Sequence, residues 1–342
     1  MSKMKIAAID LGTVSSRMMC AELEGRRVAT SVKRTVITDL GEGVDASGVF
    51  SLAAIDRVVE ACAGFAREAR EFGARYVSCT LTSAARDVSN ADDLLDRLRE
   101  LELAPQVIPG EVEALLTFYG VAHDFGDERI AVADSGGGST ELVVGRAPRP
   151  SGASAEGGSR CANGCESRLE LDRATSLDIG CRRVTERFFS AMPPSSEELE
   201  SAAAWMWPLF EGYWMGLEDR PDRLVAVGGT VTSLVAMVHE LAVYDSSFVH
   251  LRDLTIANVE ESVERMGRLT VDEIAALPGI QAKRAPVILA GALIVRELMR
   301  SGGYDRLTVS ESSLLAGAVA TVFETVERGD PVVGWAPELS IW

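Results

Sequence analysis

The sequence predicts an α/β protein made of two related domains with a cleft between them. Three observations carry that expectation. The chain has 342 residues, more than one hydrophobic core comfortably serves. The stretch IAAIDLGTVSSRMMC, from Ile6, is an apolar run that ends in an acid, turns through glycine and resumes. The stretch IAVADSGGGSTELVVG, from Ile130, repeats that shape with Asp134, glycines and hydroxyls at its centre.

The elements follow in order. Residues 4–10, 16–22 and 28–37 read as three strands joined by turns. In SLAAIDRVVEACAGFAREAREFG, Ile55, Val58, Val59, Cys62, Phe65 and Ala69 recur at helical spacing, with Ser51 placed as N-cap. RYVSCTLT reads as a strand, NADDLLDRLREL as a helix opening near Asn90, and APQVIP as a short strand. GEVEALLTFYGVAHDF is an amphipathic helix with Val112, Leu115, Leu116 and Tyr119 on one face.

The pattern restarts around Gly126-Asp127. RIAVADSG and STELVVG form a second hairpin, and LELDRATSLDIG returns as a strand. Helices then dominate, interrupted by the strands RLVAVGG and DRLTVSES. Domain I is expected over 1–125, completed by a C-terminal helix around 311–328, and domain II over 126–310. The span 147–167 is rich in Gly, Ser and Pro, and is expected to be a mobile surface loop.

Composition excludes several classes. The formal net charge is −17, which argues against duplex nucleic acid or an anionic membrane as partner. Phosphate on a small substrate remains allowed, because a cation and aligned N–H groups neutralise it locally. No apolar run is long enough to span a bilayer, and MSKMKIAAIDLG lacks a signal-peptide pattern, so a cytoplasmic location is expected. Cys161 and Cys165 lie in the Gly/Ser-rich span without the second ligand pair that a zinc site needs.

The two turns suggest half-sites of a phosphate clamp. Glycine lets main-chain N–H groups approach an anion closely. Gly12, Thr13, Val14 and Ser15 form the first cradle, and Gly136, Gly137, Gly138 and Ser139 the second. Gly228, Gly229 and Thr230 in VAVGGTVTS supply a third glycine turn. A strand-end carboxylate suits Mg²⁺, a hard cation that prefers oxygen ligands.

These turns resemble the two phosphate motifs and third glycine motif of the actin, Hsp70 and sugar-kinase superfamily. Within it, the chain resembles the exopolyphosphatase and guanosine pentaphosphate phosphohydrolase (Ppx/GppA) family. LGEGVDASG, LTSAARDVSN, IPGEVEALLTFYGV, SLDIGCRRVTERF, VHLRDLT and LPGIQAKRAPVILAGALI extend that resemblance along nearly the whole chain. It implies two ribonuclease H-like, actin-like ATPase domains around the cleft. It places the catalytic carboxylate on Glu113, with Glu141 handling metal and water. Asp134, Glu141 and Asp10 would hold Mg²⁺, with Mn²⁺ as a substitute, and Arg86 would contact phosphate. Arg17 is either structural or phosphate-facing.

The chain also departs from the family pattern. Val14 stands where the family has an asparagine, and SSLLAG at 312–317 lacks the family's Arg-Glu pair. The implied substrate is inorganic polyphosphate or a guanosine alarmone such as pppGpp, and a homodimer is a further expectation. The alternatives are a non-catalytic sensor of these ligands and an ATP-dependent small-molecule kinase.

Overall fold

The computed structural model describes residues 3–147, 159–160, 166–167 and 169–342. The chain divides into two compact units. One comprises 1–128, 146–171 and 313–342, and the other 129–145 and 172–312.

The first unit opens with β1 (Lys3–Leu11), β2 (Ser15–Glu24) and β3 (Arg27–Ile37). It continues through α1 (Val44–Ser47), α2 (Leu52–Phe72), β4 (Tyr76–Leu81), α3 (Ser83–Arg86), α4 (Ala91–Arg99), β5 (Pro105–Val107) and α5 (Gly110–Ala122). The second unit holds β6 (Ile130–Ser135) and most of β7 (Thr140–Arg146). The short strands β8 (Ser159–Arg160) and β9 (Glu166–Ser167) pair with each other. Then come β10 (Glu170–Leu177), α6 (Cys181–Phe188), α7 (Ser196–Met215), β11 (Arg223–Val227) and α8 (Gly229–Val238). They are followed by α9 (Ser246–Val249), β12 (Arg252–Thr255), α10 (Ile256–Met266), α11 (Val271–Ala275), α12 (Ala285–Gly302) and β13 (Arg306–Val309). Finally α13 (Leu314–Arg328) and β14 (Ser340–Ile341) return to the first unit.

The internal repeat is visible in the sheets. The first runs β3-β2-β1-β4, with β5 and β14 both on the far side of β4. The second runs β10-β7-β6-β11-β13-β12. In each, an antiparallel hairpin (β1–β2, β6–β7) is followed by a parallel neighbour (β4, β11). β1 and β6 are central and buried along most of their length, so they read as continuous apolar runs rather than alternating ones.

Helix α2 begins where its cap dictates. The Ser51 side chain accepts from Ala54 N, and Gly73 closes the helix in a left-handed conformation. Its apolar face, Ile55, Val58, Cys62, Phe65 and Ala69, joins β1, β2 and β4 in the first core. Helices α5 and α13 meet at glycines. A Cβ at Gly120 would overlap the Ser313 carbonyl, and one at Gly317 the Leu116 carbonyl, so the backbones touch directly.

The segment expected as a mobile loop, with Cys161 and Cys165, lies almost wholly outside the described residues. At its start, Arg146 Nη1 donates to the Asp127 carbonyl at 2.7 Å. Arg146 falls in the first unit, whereas the sequence reading carries the adjoining span in the second domain. Among the described residues, no helix is long and apolar enough to cross a membrane.

Cys20, Cys62, Cys79 and Cys181 are free thiols in apolar surroundings. Burial pushes Cys20 up to about 11 and Cys62 to about 12, and it also raises Cys79 and Cys181. Only the thiolate reacts, so at pH 8 these four should resist iodoacetamide in the folded chain and react once it is unfolded. Site-resolved mass spectrometry checks this; native alkylation of Cys62 at the rate of a free thiol contradicts the burial.

Candidate active site

In the first unit, the turn between β1 and β2 is closed by Gly12 N donating to Ser15 O at 3.0 Å. Gly41 N donates to the Thr13 carbonyl at 2.8 Å, and Thr38 N and Asp39 N to that of Val14 at 3.1 and 3.0 Å. The carbonyls of Thr13, Val14 and Ser15 are thus all engaged by protein N–H groups, which keeps their lone pairs from opposing an anion. Val14 is 5% exposed. Its side chain is a core residue, and the turn is held by main chain.

Asp10 and Arg17 face each other in the β1–β2 register. Arg17 Nε and Nη2 donate to Asp10 Oδ2 at 2.9 and 2.6 Å. Asp10 is 1% exposed, and its Oδ1 is buried without a hydrogen-bond partner.

Glu113 sits in the first turn of α5, where the helix dipole favours an acid. It is buried. Arg86, at the end of α3, donates from Nη1 to Glu113 Oε2 and to the Ile108 carbonyl, both at 2.9 Å. The structure therefore brings together Arg86 and Glu113, two residues that the sequence reading assigned separately. The strand ends do this: β4 leads into α3, and β5 into α5.

In the second unit, the β6–β7 turn is closed the same way, Gly136 N donating to Ser139 O at 2.9 Å. The N-terminus of α6 then takes up its carbonyls. Cys181 N donates to Gly136 O at 3.0 Å, and Arg182 N to Gly137 O at 2.9 Å. Arg183 Nε reaches Gly138 O at 3.0 Å. Gly180 is required here, because a Cβ would overlap the peptide between Gly137 and Gly138.

Asp134 and Glu141 are register partners in this hairpin, so their side chains share one face of the sheet. Both are buried, and Ser176 Oγ donates to Glu141 Oε1 at 2.8 Å. Position for position, the first hairpin opposes its acid with an arginine and the second opposes its acid with another acid. The third turn adjoins Asp134: a Cβ on Gly228, whose φ is +100°, would lie 3.0 Å from Asp134 Oδ1. Thr230 is buried one residue into α8.

Among the described residues, no cluster of three or more His, Cys, Asp or Glu gathers for a metal. Asp134 and Glu141 belong to one unit and Asp10, tied to Arg17, to the other. The donor set in the second unit is a pair of opposed carboxylates. That suits Mg²⁺, which takes one or two carboxylates and fills its remaining positions with water and phosphate oxygens.

The sequence reading assigned no site role to Arg182, Arg183 or Arg284. The Arg284 guanidinium packs directly against Gly229, where a Cβ would overlap it. Arg182 and Arg284 both act on Cys181, opposing the upward push that its burial exerts. Of the three, only Arg182 and Arg183, two and three residues past Gly180, stand near a glycine in sequence; Arg284 reaches its turn through the fold.

Residues 22–323 match the model of the Ppx/GppA phosphatase family. The chain belongs to that family. It is 33% identical to exopolyphosphatase 2 of Mycobacterium tuberculosis over 337 residues, covering 93% of this chain and 98% of that protein. It is 28% identical to exopolyphosphatase 1 of Mycobacterium leprae, covering 96% and 93% of the two chains. The crystal structure of the Aquifex aeolicus Ppx/GppA family member superimposes with a TM-score of 0.74 at 26% identity, over 96% of this chain and all of that one. The two units thus have the actin-like fold of Ppx/GppA proteins, and the protein is a phosphohydrolase acting on anhydride bonds.

Replacing Arg17 by Met leaves the Asp10 carboxylate buried without its cation. Loss of a buried partner typically costs 3–5 kcal/mol, and the Arg17 side chain is 22% exposed, so about 2 kcal/mol is expected. Urea unfolding of Arg17→Met measures it, and an unchanged midpoint contradicts the assigned role of the pair.

Proposed function

We propose that the protein is a Mg²⁺-dependent exopolyphosphatase that releases the terminal phosphate of inorganic polyphosphate. The observation that carries this reading is the buried Arg86–Glu113 pair at the head of α5. Hydrolysis of a phosphoanhydride needs a carboxylate that orients water and takes its proton, and otherwise needs positioning and charge neutralisation. Arg86 fixes the carboxylate by one oxygen, and Glu113 acts as the base toward the attacking water. The names of the mycobacterial relatives support polyphosphate as the substrate.

With Gly12 N and Gly136 N closing the first two turns, residues 13–15, 137–139 and 228–230 would offer the remaining main-chain N–H groups to phosphate oxygens. Arg284 adds a guanidinium beside the third turn. Mg²⁺ held by Asp134 and Glu141 would supply the charge that offsets the leaving and transferred phosphates. The Val14 side chain is buried, so its replacement of an asparagine leaves the main-chain cradle intact.

Phosphate release from short polyphosphate, long polyphosphate and pppGpp, with and without Mg²⁺, tests the substrate and the cofactor together. Polyphosphate should be consumed only with the metal. Tight binding of polyphosphate without turnover across a range of Mg²⁺ would favour the sensor. Glu113→Gln should lower kcat by about 100-fold or more at little change in KM; full activity in the metal-replete variant removes its assignment as base. Glu141→Gln should raise the Mg²⁺ needed for half-maximal rate by about tenfold or more, and an unchanged requirement counts against its place at the metal.

A further inference from the structure

The helix that carries Glu113 is held far from that residue by a buried carboxylate. Glu324, on α13, is 1% exposed. Its Oε1 accepts from Tyr119 Oη at 2.8 Å and from Arg26 Nη2 at 3.0 Å, and its Oε2 from Val332 N at 2.8 Å. Four segments of the first unit converge there: α5, the β2–β3 turn, α13 and the chain that follows it.

The neighbouring contact explains what this group adds. Where α5 crosses α13, Gly120 and Gly317 let the backbones touch. Such a contact sets the distance between two helices. The bond from Tyr119 to Glu324 adds a directional restraint one residue from Gly120, and the Arg26 and Val332 donors hold the acceptor still. Tyr119 lies six residues beyond Glu113, roughly 9 Å along the helix. A shift of α5 at this point is therefore transmitted to Glu113, which Arg86 also holds.

We propose that Glu324, through Tyr119, is a positioning residue for Glu113, and that their hydrogen bond sets the axial register of α5. This rests on the reading of Glu113 as the base. Neither residue touches the reacting atoms. Displacing a catalytic group by a fraction of an ångström lowers the rate of the chemical step more than substrate binding.

Tyr119→Phe removes the hydroxyl and keeps the ring, and Glu324 retains Arg26 and Val332 N as donors. The matched control is Tyr304→Phe in the second unit, where another buried tyrosine hydroxyl donates to the Pro221 carbonyl at 2.9 Å. Steady-state phosphate release from polyphosphate and thermal unfolding are measured on the full chain for both variants and for Glu113→Gln. The expected result is a fall in kcat of about tenfold for Tyr119→Phe, with KM within twofold. Tyr304→Phe should lose similar thermal stability at unchanged kcat. If Tyr119→Phe keeps kcat within twofold, or loses no more than Tyr304→Phe, the positioning role is overturned. If Glu113→Gln stays active, the base assignment fails instead, so the two failures are told apart.

Discussion

Each phosphate-type turn in this protein depends on what happens to its carbonyl oxygens. A glycine turn can offer N–H groups to an anion only if its own carbonyls are held elsewhere. In the first unit, the amides of Thr38, Asp39 and Gly41 hold those of Thr13 and Val14. In the second, the first turn of α6 does the same for Gly136 and Gly137. Two different pieces of structure solve one electrostatic problem, and the glycines at 41 and 180 mark where each piece comes too close for a side chain.

The two hairpins then diverge in charge. Asp10 is neutralised within its own unit by Arg17, whereas Asp134 is opposed by Glu141. An acid opposite an arginine is an ion pair. An acid opposite an acid puts two carboxylates on one face of the sheet, and the Mg²⁺ proposed for this pair would bring them a compensating charge. One duplicated turn thus carries a paired charge in the first unit and two adjacent carboxylates in the second.

Much of this was legible in the sequence. The doubled acid-and-glycine pattern gave the repeat, because a strand buried on both faces must be a continuous apolar run and the turn that ends it must admit close backbone approach. Ser51 signalled a helix start through its capping side chain, whereas Asn90 precedes α4 with its amide turned to the Phe50 backbone. Arg86 and Glu113 were each visible as candidates, but their contact was not: they come from different helices, and pairing across elements leaves no periodicity. Arg182, Arg183 and Arg284 went unassigned for the same reason. An arginine looks alike in sequence whether it is solvated or set against a glycine turn.

What the sequence determined by itself is the local chemistry: where strands end in acids, where glycine is needed, which helices are amphipathic, and the family these motifs belong to. Tertiary structure decided the partnerships. It put Arg17 on Asp10, Arg86 on Glu113, Arg284 on Gly229 and Tyr119 on Glu324. Local patterns follow from the geometry of a few neighbouring residues. A buried charge must find its partner wherever the fold brings one, and only the packed chain fixes that choice.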